Sequence, residues 1–302
     1  MLDVLIALSP AAVASVVLYG LRALLMIVLC VGTAVVSELL FNVITKRTQT
    51  VANLSAAVTG LLLALSLPVT VTVWQCIVGS AFAIVVVKCL FGGLGCNFAN
   101  PAVSARIMLL IAFSASIAGG TDALAANRFS EIGKDAILVT GATPLAAIKT
   151  GAELSELPSL LDMLLGNRGG AIGEGCIIAI LIGFVYLAVR KVIHWETPVI
   201  CVATVFLLSL AITGNATLAL YHVLGGGIML GAVFMITDYV TTPINRLGKM
   251  VFALGVGLIT VLIRFFGSYP EGVSYAILLM NILSPYIEKL CAKKPFGGVK
   301  SK

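Results

Sequence analysis

The chain has 302 residues, 60% hydrophobic and only 11% charged, with 19 basic against 13 acidic residues for a net charge of +6. Its mean hydropathy is +1.12. A soluble domain carries about 25% charged residues, so the composition excludes a soluble globular protein and defines an all-α polytopic membrane protein. The basic residues sit scattered at the ends of apolar runs rather than striped on one face, which excludes nucleic acid as a partner.

The apolar runs approach the ~20 residues a helix needs to cross a bilayer. They are continuous rather than alternating, so helices are expected and not a β-barrel. The first run lacks a polar leader and a small-residue cleavage site, and reads as a retained helix. Ten spans are predicted, at about 2–20, 22–44, 54–68, 72–90, 104–119, 174–190, 197–213, 217–236, 250–266 and 272–288. With both termini in the cytoplasm, thirteen basic residues fall inside, Lys88 and Arg106 among them, and six outside, Arg22 and Arg264 among them. The positive-inside rule favours this orientation. The organisation is then a first five-helix repeat (1–119), a mildly acidic extracytoplasmic loop (120–173), a second five-helix repeat (174–288) and a basic cytoplasmic tail (289–302).

An internal repeat supports the division. "FGGLGCNFANPAVSARIMLL" (91–110) and "FFGSYPEGVSYAILLMN" (265–281) each run Phe-Gly, Pro, Val-Ser and then apolar. Each precedes the last helix of a half, and an odd number of helices per half inverts the second copy. The third span ends at Pro68. The eighth contains "LGGGIMLG" (224–231) and runs into "MITDYVTTP" (235–243). Broken spans at corresponding positions point to a binding site at the repeat interface; the plainer reading is that the glycines let helices pack closely.

Few polar residues approach the membrane. Asp238 ends a long apolar run with no basic neighbour, and is either a functional carboxylate or a helix-terminal Asp in water. Asn97 and Asn100 share a helical face if their turn is helical. Their amides either hydrogen-bond a planar heterocycle or cap the helix starting at Pro101. Arg106 either pairs with a phosphate or carboxylate or anchors the helix at the cytoplasmic surface. Glu38 and Glu174 either touch a cation or snorkel and cap; Arg264 and Glu271 are expected to be solvated. Seven cysteines with no CxxC argue against an iron–sulfur or zinc site. His194 and His222, at opposite helix ends, argue against a bis-His haem.

The long loop carries "VTGATPL" (139–145). Its threonines lack the neighbours of an activated nucleophile. Locally it reads as a turn, with a positive φ at Gly141 and Pro144 forcing extended geometry on Thr143.

These motifs combine with "LDVLIALSPA", "GLLLALSLP", "VKCLFGGLGCNFANPAVSAR" and "MITDYVTTP" into a pattern that covers essentially the whole chain. It resembles the membrane-embedded D subunit of the Rnf ferredoxin:NAD oxidoreductase complex, a family related to the B subunit of the sodium-pumping NADH:quinone reductase. The resemblance implies a fold like that of urea transporters and a covalent FMN, phosphoester-linked to Thr143, with Thr140, Gly141 and Ala142 as recognition context. It implies a flavin transferase acting outside the cytoplasm, and a second, non-covalent riboflavin held by Asn97, Asn100 and Asp238. Arg106 stands beside these as a candidate for a phosphate. Two positions depart from the pattern. Relatives commonly have an acidic residue six before the modified Thr, where this chain has Ile137 and, two further back, Asp135. They often have Pro after the Asp, where this chain has Tyr239.

The expectation is therefore an electron-transfer subunit of an ion-translocating (Na+ or H+) complex in the bacterial inner membrane. Its partners would be the A, B, C, E and G subunits of the Rnf complex, above all the FMN-carrying G subunit, together with membrane lipid. NAD binds elsewhere, since no GxGxxG opens a βαβ unit. The rival expectation is a non-redox solute channel or transporter built on the same inverted repeat.

Overall fold

The computed structural model describes residues 1–117, 120–121, 140–141, 143–151 and 157–292. Ala142, Asp135, Ile137 and residues 293–302 of the basic tail lie outside the described residues.

The first part of the chain builds α1 (Leu2–Tyr19), α2 (Leu21–Ile44), α3 (Ser55–Ser66), α4 (Val73–Ala81), α5 (Pro101–Ala112) and the short α6 (Ser114–Ile117). Helix α4 continues without a break into π-helical turns over Phe82–Cys89. Residues Gly120–Thr121 (β1) and Thr140–Gly141 (β2) form a minimal antiparallel pair. The short helices α7 (Pro144–Lys149) and α8 (Leu160–Leu165) follow. The second part builds α9 (Ile177–Val189), α10 (Glu196–Thr213), α11 (Ala216–Leu224), α12 (Ile228–Leu230) with π-helical turns over Gly231–Met235, α13 (Arg246–Phe266) and α14 (Val273–Cys291).

A helical segment thus occupies each of the ten predicted spans, with shifted ends. Among the described residues, α1, α2, α10 and α13 are long and apolar enough to cross a bilayer alone. The α11–α12 pair, bent by 63°, is a fifth if counted as one span. The predicted eighth span breaks at "LGGG", where Gly226 takes φ +65°, a conformation that favours glycine. The predicted fifth span starts earlier than expected. Asn100 caps α5 through bonds from the Ala102 and Val103 N–H groups, and Pro101 takes the first helical position, where its missing donor costs nothing.

The chain is apolar both in its core and on much of its outer surface. Val13, Val17, Val28, Val36, Val185 and Leu207 point outward from α1, α2, α9 and α10, as lipid-facing surfaces require. Helix α3 is the opposite case, with every residue from Ser55 to Ser66 except Ala57 buried. Gly60 allows this. A Cβ there would stand 2.7 Å from the Cys30 carbonyl oxygen, so only glycine lets α3 lie so close to α2. The two parts of the chain meet where α1 packs on α9 and α5 on α14.

Candidate functional site

Asn97, Asn100 and Asp238, separated by up to 141 positions in sequence, line one cleft. The cleft is open at its mouth and leaves about 70 Å³ of space within its walls, so a bound small molecule would have to part those walls further. Ser55, Lys88 and Thr237 add polar groups, and Val58, Leu62 and Phe234 supply apolar wall. Helix α3 and the turn before α5 form one side; the end of the broken helix after α12 forms the other.

The three predicted residues play different parts. Asn100 spends its side chain on the fold: Oδ1 accepts from Ala102 N at 3.1 Å and Val103 N at 3.4 Å, and Nδ2 donates to the Met235 carbonyl at 3.5 Å. It therefore clamps the start of α5 to the far wall. Asn281 completes the clamp, accepting from Asn100 N at 3.0 Å and donating to the Thr241 carbonyl at 3.2 Å. The Asp238 carboxylate is steadied by its own turn, accepting from Thr241 Oγ1 at 3.0 Å and Val240 N at 3.4 Å. Asn97 is the open position: its Oδ1 is buried and has no hydrogen-bond partner. A buried acceptor without a donor costs about 1–3 kcal/mol, and a bound group with an N–H would satisfy it. Tyr239 ties the rim, its hydroxyl donating to the Val192 carbonyl.

Lys88 is a further polar residue of the wall, although its place at the end of an apolar run puts it at the cytoplasmic surface by charge alone. It is 1% exposed. Its Nζ donates to Glu38 Oε1 at 2.9 Å and Ser55 Oγ at 2.6 Å. Thr50 Oγ1 donates to the same Glu38 oxygen at 2.6 Å. Glu38 is thus neither snorkelling nor capping but paired inside the protein.

Arg106 does not line the cleft. Its Nη2 meets Glu271 Oε2 at 2.5 Å, and its Nη1 stands 3.5 Å from Glu174 Oε1. The pairing bears out the carboxylate alternative for Arg106 and overturns the surface anchor. It also conflicts with the charge count, which put Arg106 inside and Arg264 outside, since Arg106 pairs with Glu271 and Arg264 donates to the Glu271 carbonyl. Arg264 is buried rather than solvated, donating to the carbonyls of Glu271, Gly225 and His222. Glu174 and Arg106 crowd the broken helix: a Cβ on Gly227 would lie 2.7 Å from Glu174 Oε1. Among the described residues, no cluster of three or more His, Cys, Asp or Glu residues is placed to hold a metal ion.

Thr143 sits at the N-cap of α7, with extended φ −61° and ψ 148° and its Oγ1 accepting from Ala146 N at 3.2 Å. Pro144 at the first helical position imposes that geometry, as expected. Gly141 is part of β2 rather than of a turn. Helix α7 is docked at both ends. Leu145 packs on Gly225 and Gly226, and Lys149 Nζ donates to the carbonyls of Gly267 at 2.5 Å and Tyr269 at 3.1 Å.

Fold and cleft together define a helical membrane protein with a polar site enclosed between the two parts of its chain. The chain belongs to the NQR2, RnfD, RnfE family, whose model matches residues 1–297. It is 42% identical over 304 residues to the D subunit of the Na(+)-translocating ferredoxin:NAD(+) oxidoreductase complex of Acetobacterium woodii, covering 100% of this chain and 91% of that protein. It is 38% identical over 312 residues to the D subunit of the proton-translocating complex of Clostridium ljungdahlii, covering 98% and 91%. It is 35% identical over 322 residues to the D subunit of the ion-translocating oxidoreductase complex of Stutzerimonas stutzeri, covering 98% and 91%.

Proposed function

We propose that this chain is the D subunit of an ion-translocating ferredoxin:NAD oxidoreductase complex and carries two flavins, FMN esterified to Thr143 and a riboflavin in the cleft. The observation that carries the reading is the convergence of Asn97, Asn100 and Asp238 on one cleft, with the Asn97 Oδ1 acceptor buried and unspent. Family membership and the names of the full-length relatives support the assembly.

A flavin would supply the electron transfer; the polypeptide supplies position, hydrogen bonds and dielectric. Asn97 would accept from a ring N–H. Asn100 would keep the two walls in register rather than touch the ring. Asp238 would present an acceptor from the second half. Thr143, held at the start of a docked helix, would hold the FMN phosphate at a fixed point on the protein. In this reading the ten helical segments are ten spans in two inverted five-helix repeats. The loop around Thr143 faces outside, where a flavin transferase reaches it, and the termini face the cytoplasm of a bacterial inner membrane. The G subunit, with the other Rnf subunits, would exchange electrons with the covalent FMN.

The test is a flavin inventory of the purified complex. Acid precipitation should release riboflavin into the supernatant, while the D polypeptide stays fluorescent on a denaturing gel. A colourless polypeptide with no releasable flavin would fit a solute channel of the same fold and would refute the proposal.

A further inference from the structure

We propose that Lys88 is a binding residue of the cleft, the fixed cation that faces a flavin held there. The inference rests on the reading of the cleft as a flavin site and adds a residue to it.

Stability does not explain a lysine at this position. Removing an ammonium and a carboxylate from water is expensive, and a well-packed apolar pair in place of Glu38 and Lys88 would be as stable or more so. The location does explain it. Lys88 closes the continuous helical segment that begins with α4, in π-helical turns that set its direction differently from an α-helix, and such turns recur at functional sites. Behind it stand Glu38 from α2 and Ser55 from α3, each bonded to Nζ. An ammonium has three donors, and among the described residues two are taken. The residue lines the cleft with Asn97 and Asp238.

Glu38 and Ser55 hold the ammonium from behind and leave its third donor for the cleft. Glu38 Oε1 accepts from both Lys88 and Thr50, and the Thr50 hydroxyl in turn accepts from Asn42 Nδ2 at 3.1 Å. Arg47 Nη1 donates to the Cys89 carbonyl at 3.1 Å and does not line the cleft. Asp238 is the charged group on the opposite side of the cleft. A cation fixed beside a flavin stabilises the negative charge that reduction adds, and does so most effectively in a site closed to water. Lys88 therefore serves two ends: it strengthens binding, and it raises the potential at which the bound flavin is reduced.

The experiment uses the intact complex carrying Lys88→Met, which keeps volume and removes charge, and Glu38→Gln/Lys88→Met, which leaves no unpaired carboxylate if the single variant fails to assemble. Lys88→Arg restores the charge. Covalent flavin fluorescence on a denaturing gel reports assembly. Readouts are retention of riboflavin, by titrating free riboflavin onto stripped complex, and the midpoint potential of the non-covalent flavin in a spectroscopic redox titration. The methionine variants should bind riboflavin roughly tenfold or more weakly, as loss of a charged hydrogen bond implies, and should shift the potential negative. Lys88→Arg should recover part of both. Unchanged affinity and potential in the methionine variants would overturn the role of Lys88 while leaving the cleft reading intact. A wild-type complex with no non-covalent flavin would overturn both.

Discussion

Arg106 Nη2 and Glu271 Oε2 meet at 2.5 Å, joining α5 to the loop before α14 across 165 positions of sequence. The Arg106 side chain is 7% exposed and that of Glu271 30%, while Glu174, the second carboxylate of the pairing, is 3% exposed. Losing the arginine deprives the buried Glu174 carboxylate of its ion-pair partner, with Arg168 and Arg264 acting on it only from farther off. Arg106→Met should therefore destabilise by about 3–5 kcal/mol. Glu271→Gln, at a half-open position, should cost about 1 kcal/mol or less. Thermal unfolding in detergent, followed by monodispersity on size exclusion, should show a far larger drop in Tm for Arg106→Met. Equal drops would mean that Glu174 takes no part in the pairing.

Two glycines of neighbouring helices should respond in opposite directions. A Cβ at Gly60 would stand 2.7 Å from the Cys30 carbonyl oxygen and 2.8 Å from Val31 Cα, backbone atoms that cannot swing aside. Gly60→Ala should push α3 off α2 and cost roughly 1–3 kcal/mol or more. Gly32, inside α2, has nothing within 4 Å of an added Cβ. Gly32→Ala should gain about 0.5–1 kcal/mol from helix propensity. Tm values of the two variants test both signs.

Substitutions at Thr143 separate a tether from a cap. The side chain both caps α7 and offers the hydroxyl for esterification. Thr143→Ala should abolish covalent flavin and weaken α7 by about 0.5–2 kcal/mol. Thr143→Ser keeps the cap and the hydroxyl, and should keep α7 anchored. Limited proteolysis of the loop, read beside gel fluorescence, distinguishes loss of flavin from loss of the helix.

Asp238→Ala and Asn97→Ala should both lower the content of releasable flavin while the covalent flavin stays at its wild-type level. The aspartate substitution should also loosen the turn, since its carboxylate holds Thr241 and Val240. The asparagine substitution should not lower the stability of the flavin-free protein, because Oδ1 holds nothing in the fold and its removal relieves an unpartnered buried acceptor. Equal flavin release from wild type and both variants would count against the cleft.

Much of this site is legible in the sequence because polar residues in a hydrophobic chain are expensive and therefore few. Asn97, Asn100 and Asp238 stand out on that ground alone, and all three reach one cleft. The cap at Asn100 is legible too, since Asn followed by Pro is a helix start with a mechanism. The pairing of ions is not. Lys88 and Glu38 lie 50 positions apart, and a lysine ending an apolar run reads as a surface anchor unless its partner is seen. Arg264 and Glu271 read as solvated for the same reason, although backbone carbonyls and Arg106 enclose them. The break in the eighth span is visible as consecutive glycines, but neither its 63° bend nor the Leu145 and Glu174 side chains that pack against those glycines can be read from the chain. The π-helical continuation of α4 leaves no periodic mark that distinguishes it from an ordinary helix end.

The central claim is that this polypeptide carries flavin at a defined atom. Mass spectrometry of the peptide containing Thr143, from protein made together with its flavin transferase, tests it most directly. The account predicts a peptide heavier by one FMN less water, with fragmentation placing the added mass on Thr143 and not on Thr140. An unmodified peptide from a complex whose other flavin sites are filled would contradict it.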